Sequence, residues 1–576
     1  MQLTDYLVIL LYVLGIVGAG LIFARKVKSS NDMFSAGGQS PWWVSGLSGF
    51  MTMFSAGTFV VWGGIAYRFG FVAVAISMCY GIAALLVGWF LAGYWRKLGV
   101  SSAAEFLRLR FGKSVVQFYT WFQGFVGILS MGGAVYALAK IISALMPLPQ
   151  GHFLADPATG LLSVSFASLA ICIMVILITF SGGLWAVLMT DVLQFVILTV
   201  SVIFVVPLIL MKAGGLGAFI EKMPEGFASP VAEDFTWWFL IGWVLIHFFK
   251  IGGEWAFVQR YTCVPSAGDA KKSAYIFGVM YLISPIIWMM PPLVYRVINP
   301  DADFEQAYIL ACQMVLPAGM MGLMVAAMAS ATASMATTQL NVFAGAFTTE
   351  LYQQLINKSA SEKQLVFVGR VLTAILGIGV LIAALLIPRY GYTKFIIEIT
   401  TLLTGPLVLP TIWGLFSRKI GLREVWITTF LSFLALIVLK FGLSQTGFLS
   451  GITALEPLIT LVSDHIRLAD LTSGIAVPFL ILCILEVFTK SEHPGWQRVM
   501  ASKASYQELP PVEASTMPAK MVAVTLAIVA AVMAALAMID KAEGKILLIF
   551  SAVLLGISGV TFATVRKISA RSSGRS

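Results

Sequence analysis

Eight residues could do chemistry in this chain, and all lie inside apolar runs where charge and hydroxyl groups are costly. His247, Lys250 and Glu254 follow i, i+3, i+7 and share one helical face. Asp191 sits about two turns inside another apolar run, in Thr190-Asp191-Val192-Leu193-Gln194. Ser330, Ser334, Thr337 and Thr338 form a hydroxyl stripe at i, i+4, i+7, i+8. A charged group at membrane depth costs roughly 2.5–3.5 kcal/mol on insertion scales, so it persists where it is paired or faces a water-filled cavity. Carboxylate and hydroxyl oxygens with freed backbone carbonyls suit a hard alkali cation, whereas a lysine beside a helix break suits a carboxylate. Each element also has a structural reading. Lys250 and Glu254 satisfy each other at i,i+4, Asp191 locks helices, and the hydroxyls bond back to their own helix.

The elements that must position these residues are membrane spans. About fifteen apolar segments, each near the ~20 residues a helix needs to cross hydrocarbon, run from Thr4 to Arg566. They are continuous runs rather than ten-residue alternations, so helices are expected and a barrel is not. Mean hydropathy is +0.92 and only 11% of residues are charged, against about 25% in soluble domains. This removes most soluble-enzyme classes. The net charge of +10 does not imply a nucleic-acid partner, because the basic residues collect in alternate loops. These are Arg25-Lys26-Val27-Lys28, Arg96 to Lys113, Arg260 to Lys272, Ser417-Arg418-Lys419 and the tail from Arg566 to Arg575. Such asymmetry places those loops in the cytoplasm, with the N-terminus outside and the C-terminus inside the cell membrane. Asp5 ahead of the first span and basic residues behind it are the reverse of a cleaved signal peptide. Five cysteines without paired spacing suggest neither disulfide framework nor metal motif.

Glycines punctuate two spans lying five apart. Gly46, Gly49 and Gly57 fall in the second span, and Gly252-Gly253 falls in the seventh between Lys250 and Glu254. Matched interruptions point to an inverted repeat with a midplane site, and close helix packing is the other reading of the same glycines.

These residues resemble the sodium/solute symporter family, which includes sodium/glucose, proline, sialic acid and iodide transporters. The resemblance is carried by Phe54-Ser55-Ala56-Gly57-Thr58-Phe59, by Gly182-Gly183-Leu184 with Thr190-Asp191 and Gln194, and by Gln259-Arg260. Ser330 to Thr338 and Gly405-Pro406 with Pro410 and Trp413 complete it, over roughly the first 420 residues. It implies an all-α polytopic protein of the leucine-transporter type, with one leading helix, a five-helix repeat at 46–212, an inverted repeat at 236–416 and about four trailing helices. Residues 1–45 hold the leading helix and first loop, 422–488 accessory helices, 489–519 a cytoplasmic linker including Glu508-Leu509-Pro510-Pro511, and 520–576 a terminal pair with a basic tail.

By the same resemblance, Na+ would be held by the carbonyls of Met51, Phe54 and Ala327 and the hydroxyl of Ser330, with Thr332, water or Ser334 completing the shell. Asp191 would match the family's acid near that site, which in some members helps bind a further sodium. Ala331 stands where members usually carry a second hydroxyl, and Ala333 lacks an oxygen for a further ion, so one sodium is expected. Thr58, Ser77, Tyr80, His247, Lys250 and Glu254 would mark the solute pocket. The implied function is sodium-coupled import of a small polar solute, a sugar, polyol or carboxylate, by alternating access through the lipid bilayer. A proton-coupled transporter of the same fold and a non-transporting nutrient sensor are the alternatives, and an enzyme is not expected.

Overall fold

The computed structural model describes residues 1–24, 36–149, 151–387, 392–509, 517–539 and 544–573. Arg25–Lys28, the Pro510-Pro511 part of the linker and the last residues of the basic tail lie outside them. The described chain is helical, with isolated bridges such as Pro147–Leu161 confined to loops. Among the described residues eleven helices are long and apolar enough to cross a membrane, and a bent pair makes a twelfth. The leading helix Leu3–Ala24 and the interrupted second span add two more, while the two crossings expected between Val164 and Lys212 lie on one continuous helix whose later part is already among the eleven.

The second span runs as a helix from Trp42 to Thr52, loses helical form over 53–55, and resumes through a π-turn at Thr58–Trp62 into Gly63–Phe69. Side chains take the backbone donors that the break frees. Ser55 N–H donates to Thr58 Oγ1 (3.3 Å), Gly57 N–H to Ser55 Oγ (3.2 Å), and Ala56 N–H to Thr332 Oγ1 of the ninth span (2.8 Å). The seventh span breaks likewise, between Trp237–Gly253 and Trp255–Thr262, which meet at 55°. Glu254 is the extended residue at the joint (φ −68°, ψ 136°).

The glycines play a different part from the one expected. Gly46 and Gly49 lie in unbroken helix, and a Cβ on Gly46 would come within 2.6 Å of the Ser273 carbonyl of the eighth span. Gly252 and Gly253 end a helix rather than interrupt it, and a Cβ on Gly253 would lie 2.5 Å from Val408. Both breaks are real, but most of these glycines serve close packing, and the non-helical residues are Met53–Ser55 and Glu254.

The leading helix is fastened to the ninth span, Met320–Ile356. Asp5 is buried, and its Oδ1 accepts from the backbone N–H groups of Gly319 (2.7 Å) and Gly322 (2.8 Å). A carboxylate there satisfies orphan donors and meets the positive end of the helix dipole. On the opposite side, the linker is structured. A helix at Pro494–Ser505 lies against the loop after the third span, with Ser502 Oγ donating to the Leu98 carbonyl (2.8 Å) and Arg498 Nε to that of Leu109 (2.9 Å).

Replacing Asp5 by Ala should destabilise the protein by about 1–3 kcal/mol, the worth of a charge-assisted bond lost from buried donors. A lowered thermal midpoint in detergent would show it, with Asp5→Asn falling between the two; an unchanged midpoint would contradict the anchoring role.

Candidate functional site

Between the two breaks lies a cavity of about 120 Å³, room for several waters or part of a small solute. Thr52, Met53, Ser55 and Thr58 line it from the second span, and His247, Lys250 and Glu254 from the seventh. Five of the six residues expected at the solute pocket therefore meet there: Thr58, Tyr80, His247, Lys250 and Glu254. Ser77 does not line it, because its hydroxyl donates to the Ala73 carbonyl of its own helix (2.8 Å).

Lys250 and Glu254 do not form the i,i+4 pair that their spacing allows. The break at Glu254 turns its carboxylate to the ninth span, where Gln339 Nε2 donates to Oε1 (3.0 Å). Lys250 takes part in no ion pair with any described residue. An unpaired ammonium and a carboxylate already held by an amide thus share one small cavity.

Aromatic rings form its other wall. His247 lies 4.3 Å from Tyr80 and 4.6 Å from Trp243, centroid to centroid, and Trp62 packs on both Tyr80 and Trp243. His247 Nδ1 is 2.9 Å from the Trp243 carbonyl. That nitrogen must carry the proton, which leaves Nε2 as an acceptor in the neutral ring. Trp62, Trp243, Met335, Gln339 and Tyr392 also line the cavity without having been singled out from sequence. Aromatic residues in an apolar span give no polarity signal. Gln339, at membrane depth beside Thr338, was a signal available and unused.

A second polar centre lies alongside. Asp191 is fully buried and its carboxylate accepts from Ser48 Oγ of the second span and Ser334 Oγ of the ninth. Arg260, also buried, places Nη2 4.0 Å from Asp191 Oδ2 and 2.8 Å from Thr338 Oγ1, while Nη1 donates to Gln259 Oε1 (2.8 Å). Four spans, the second, sixth, seventh and ninth, are tied at this point. Removing one partner of a buried pair typically costs ~3–5 kcal/mol.

The residues expected to hold sodium are partly gathered here. Met51 lies in the last turn before the break in the second span and Phe54 within the break, both buried, and the Met51 carbonyl accepts from Phe54 N–H (3.0 Å). Ala327 is buried on the ninth span. Ser330 and Ser334 differ. Ser330 is buried beside Tyr12 of the leading helix, while Thr332 reaches Ala56 in the break of the second span. Ser334, one turn on, joins Asp191 and through it the second span.

A vestibule of about 240 Å³ opens on the side of the basic loops, lined by Glu105, Arg108, Trp255, Gln259 and Asn341 among others. Two contacts between the seventh and ninth spans stand between it and the cavity: Glu254 with Gln339, and Gln259 Nε2 with Asn341 Oδ1 (3.3 Å).

Residues 33–423 match the sodium:solute symporter family. The chain belongs to that family. Its relatives include the sodium/sialic acid symporter of Aliivibrio fischeri, 27% identical, with 72% of this chain and 83% of that protein covered. Sodium/glucose cotransporter 1 of Ovis aries is 25% identical, covering 72% of this chain and 68% of its own. Among solved structures, a substrate-bound, outward-open Na+-coupled sialic acid symporter superposes with a TM-score of 0.67 at 22% identity, covering 83% of this chain and 98% of the other. A nucleobase-cation-symport-1 family transporter in a closed conformation gives 0.53 at 13% identity, covering 83% and 99%. The fold is the leucine-transporter type, with the two broken spans opening its two repeats. The family consists of transporters rather than enzymes.

The position of Ser334 leads to a paired test. Ser334→Ala should raise the sodium concentration that half-saturates uptake about tenfold, the worth of one bond to a charged group. Ser330→Ala should leave it within about twofold. The reverse ranking in uptake assays would return the ion to Ser330.

Proposed function

We propose that this protein is a symporter of the cell membrane that couples the inward movement of one sodium ion to import of a small carboxylate-bearing solute. What supports the solute class most is Lys250, an ammonium in the cavity wall with no counter-ion among the described residues. A carboxylate meets that charge, while Thr58 and Glu254 offer hydrogen bonds to hydroxyl or N–H groups and the Trp62–Tyr80–Trp243 wall covers an apolar face. Sodium lies between the break in the second span and the ninth span, drawing on the Met51, Phe54 and Ala327 carbonyls and on the Ser334–Asp191 centre. Its arrival fixes the second span against the ninth and so shapes the adjoining cavity, which makes the two affinities reciprocal.

The basic loops face the cytoplasm in this reading, so the vestibule is the inner exit. Release inward requires the Glu254–Gln339 and Gln259–Asn341 contacts to part, joining cavity to vestibule. A 100 mV potential supplies ~2.3 kcal/mol per sodium and a tenfold gradient ~1.4 kcal/mol more, enough for a solute ratio of several hundred.

The test is uptake into proteoliposomes across carboxylates, amino acids, sugars and polyols under sodium, potassium or proton gradients. Carboxylate-bearing solutes should accumulate with sodium alone, and Lys250→Met should raise their KM by roughly 10–100-fold with little change in sodium dependence. Equal uptake of neutral sugars, or indifference to Lys250→Met, would overturn the solute class. Uptake driven by a proton gradient without sodium would overturn the coupling ion, and absence of uptake in any salt would favour a sensor.

A further inference from the structure

A second, larger space of about 510 Å³ lies far from the transport cavity, between the leading helix and the helix Met517–Ile539. One wall is a continuous face of the latter, recurring from Met521 through Val524, Ile528 and Val532 to Met533. The other wall is Val8, Leu11, Tyr12 and Leu14, and then Gly15 and Gly18. Leu193 and Leu323 of the sixth and ninth spans close its floor, both buried. From Lys520 to Met533 the groove is about 20 Å long at ~1.5 Å per residue, somewhat more than the ~15 Å of hydrocarbon in one leaflet.

Two independent features say what fills it. A Cβ on Gly15 or Gly18 would meet nothing within 4 Å, so the missing side chains leave open space at the groove rather than a packed contact. At the end beside Gly18, Lys520 is exposed and lines the groove, in no ion pair among the described residues. That end lies on the side of the basic loops, since the helix follows the linker packed against Leu98 and Leu109. An apolar channel at hydrocarbon depth with a cation at headgroup level is complementary to one amphiphile.

We infer that this groove is a binding site for an anionic phospholipid of the leaflet on the basic side, with an acyl chain along Gly15 and Gly18 and the phosphate at Lys520. The chain covers Tyr12, which stands between the groove and Ser330, so the bound lipid completes the packing of the leading helix on the ninth span. Neither half of this reading depends on which solute or ion is carried.

The experiment is native mass spectrometry of the full-length protein after exchange against phosphatidylglycerol or phosphatidylcholine. Wild type should retain one phosphatidylglycerol in preference to phosphatidylcholine by about tenfold or more. Combining Gly15→Leu with Gly18→Leu puts side chains into the groove from positions where a Cβ meets nothing within 4 Å and improves helix propensity, so the protein should fold and lose that lipid. Gly556 and Gly559 also face open space on the last helix, and leucines there should leave retention unchanged. Lys520→Glu should abolish the preference for the anionic headgroup. Retention of the same lipid by the Gly15/Gly18 variant, equal retention of both headgroups by wild type, or a lipid-free dimer occupying the face would each overturn the proposal.

Discussion

A carboxylate and a guanidinium with no solvent to share constrain everything near the centre of this protein. Asp191 and Arg260 are both fully buried, and each needs every donor or acceptor its neighbours provide. Those neighbours are Ser48, Ser334, Thr338 and Gln259, so satisfying one ion pair fixes four spans relative to one another. An isolated charge here would be prohibitive, and the pair is tolerable only because its remaining bonding capacity is largely met. The broken helices gain their definition from this arrangement. Arg260 belongs to the short helix beyond the bend of the seventh span, and Ser48 to the helix before the break of the second.

The cavity follows from how the breaks are completed. In the second span, the ninth span's Thr332 takes an N–H that the break leaves over; in the seventh, Gln339 takes the carboxylate of the break residue. The ninth span thus contacts both interruptions from residues two turns apart, and its small residues let it approach closely. A cation that alters the distance between the second and ninth spans must alter the cavity that both enclose. Coupling needs no longer path than this.

Much of the outline was legible in sequence because the bilayer allows few solutions. Ionisable residues in apolar runs pointed to the site, and Thr58, Tyr80, His247, Lys250 and Glu254 do meet at one cavity. The failures have local causes. Ser77 had a carbonyl one turn back to satisfy it. Ser330 and Ser334 are indistinguishable by spacing, since both belong to one stripe; they differ in height along the helix, where Ser330 meets Tyr12 and Ser334 meets Asp191. The pairing of Lys250 with Glu254 depended on backbone geometry at Glu254 that the glycines before it did not reveal. Asp5, which in the sequence argues only against a cleaved signal peptide, is a buried cap for a helix more than three hundred residues away, and no local pattern announces such a partner.

The central claim is that a cation binds where Asp191 joins the second and ninth spans. Binding of radioactive sodium to purified protein by scintillation proximity, in wild type and in Asp191→Asn, tests it most directly. Wild type should bind saturably and Asp191→Asn at least tenfold more weakly, with thermal stability measured in parallel to show that the variant is folded. Equal sodium affinity in a folded Asp191→Asn protein would contradict the account.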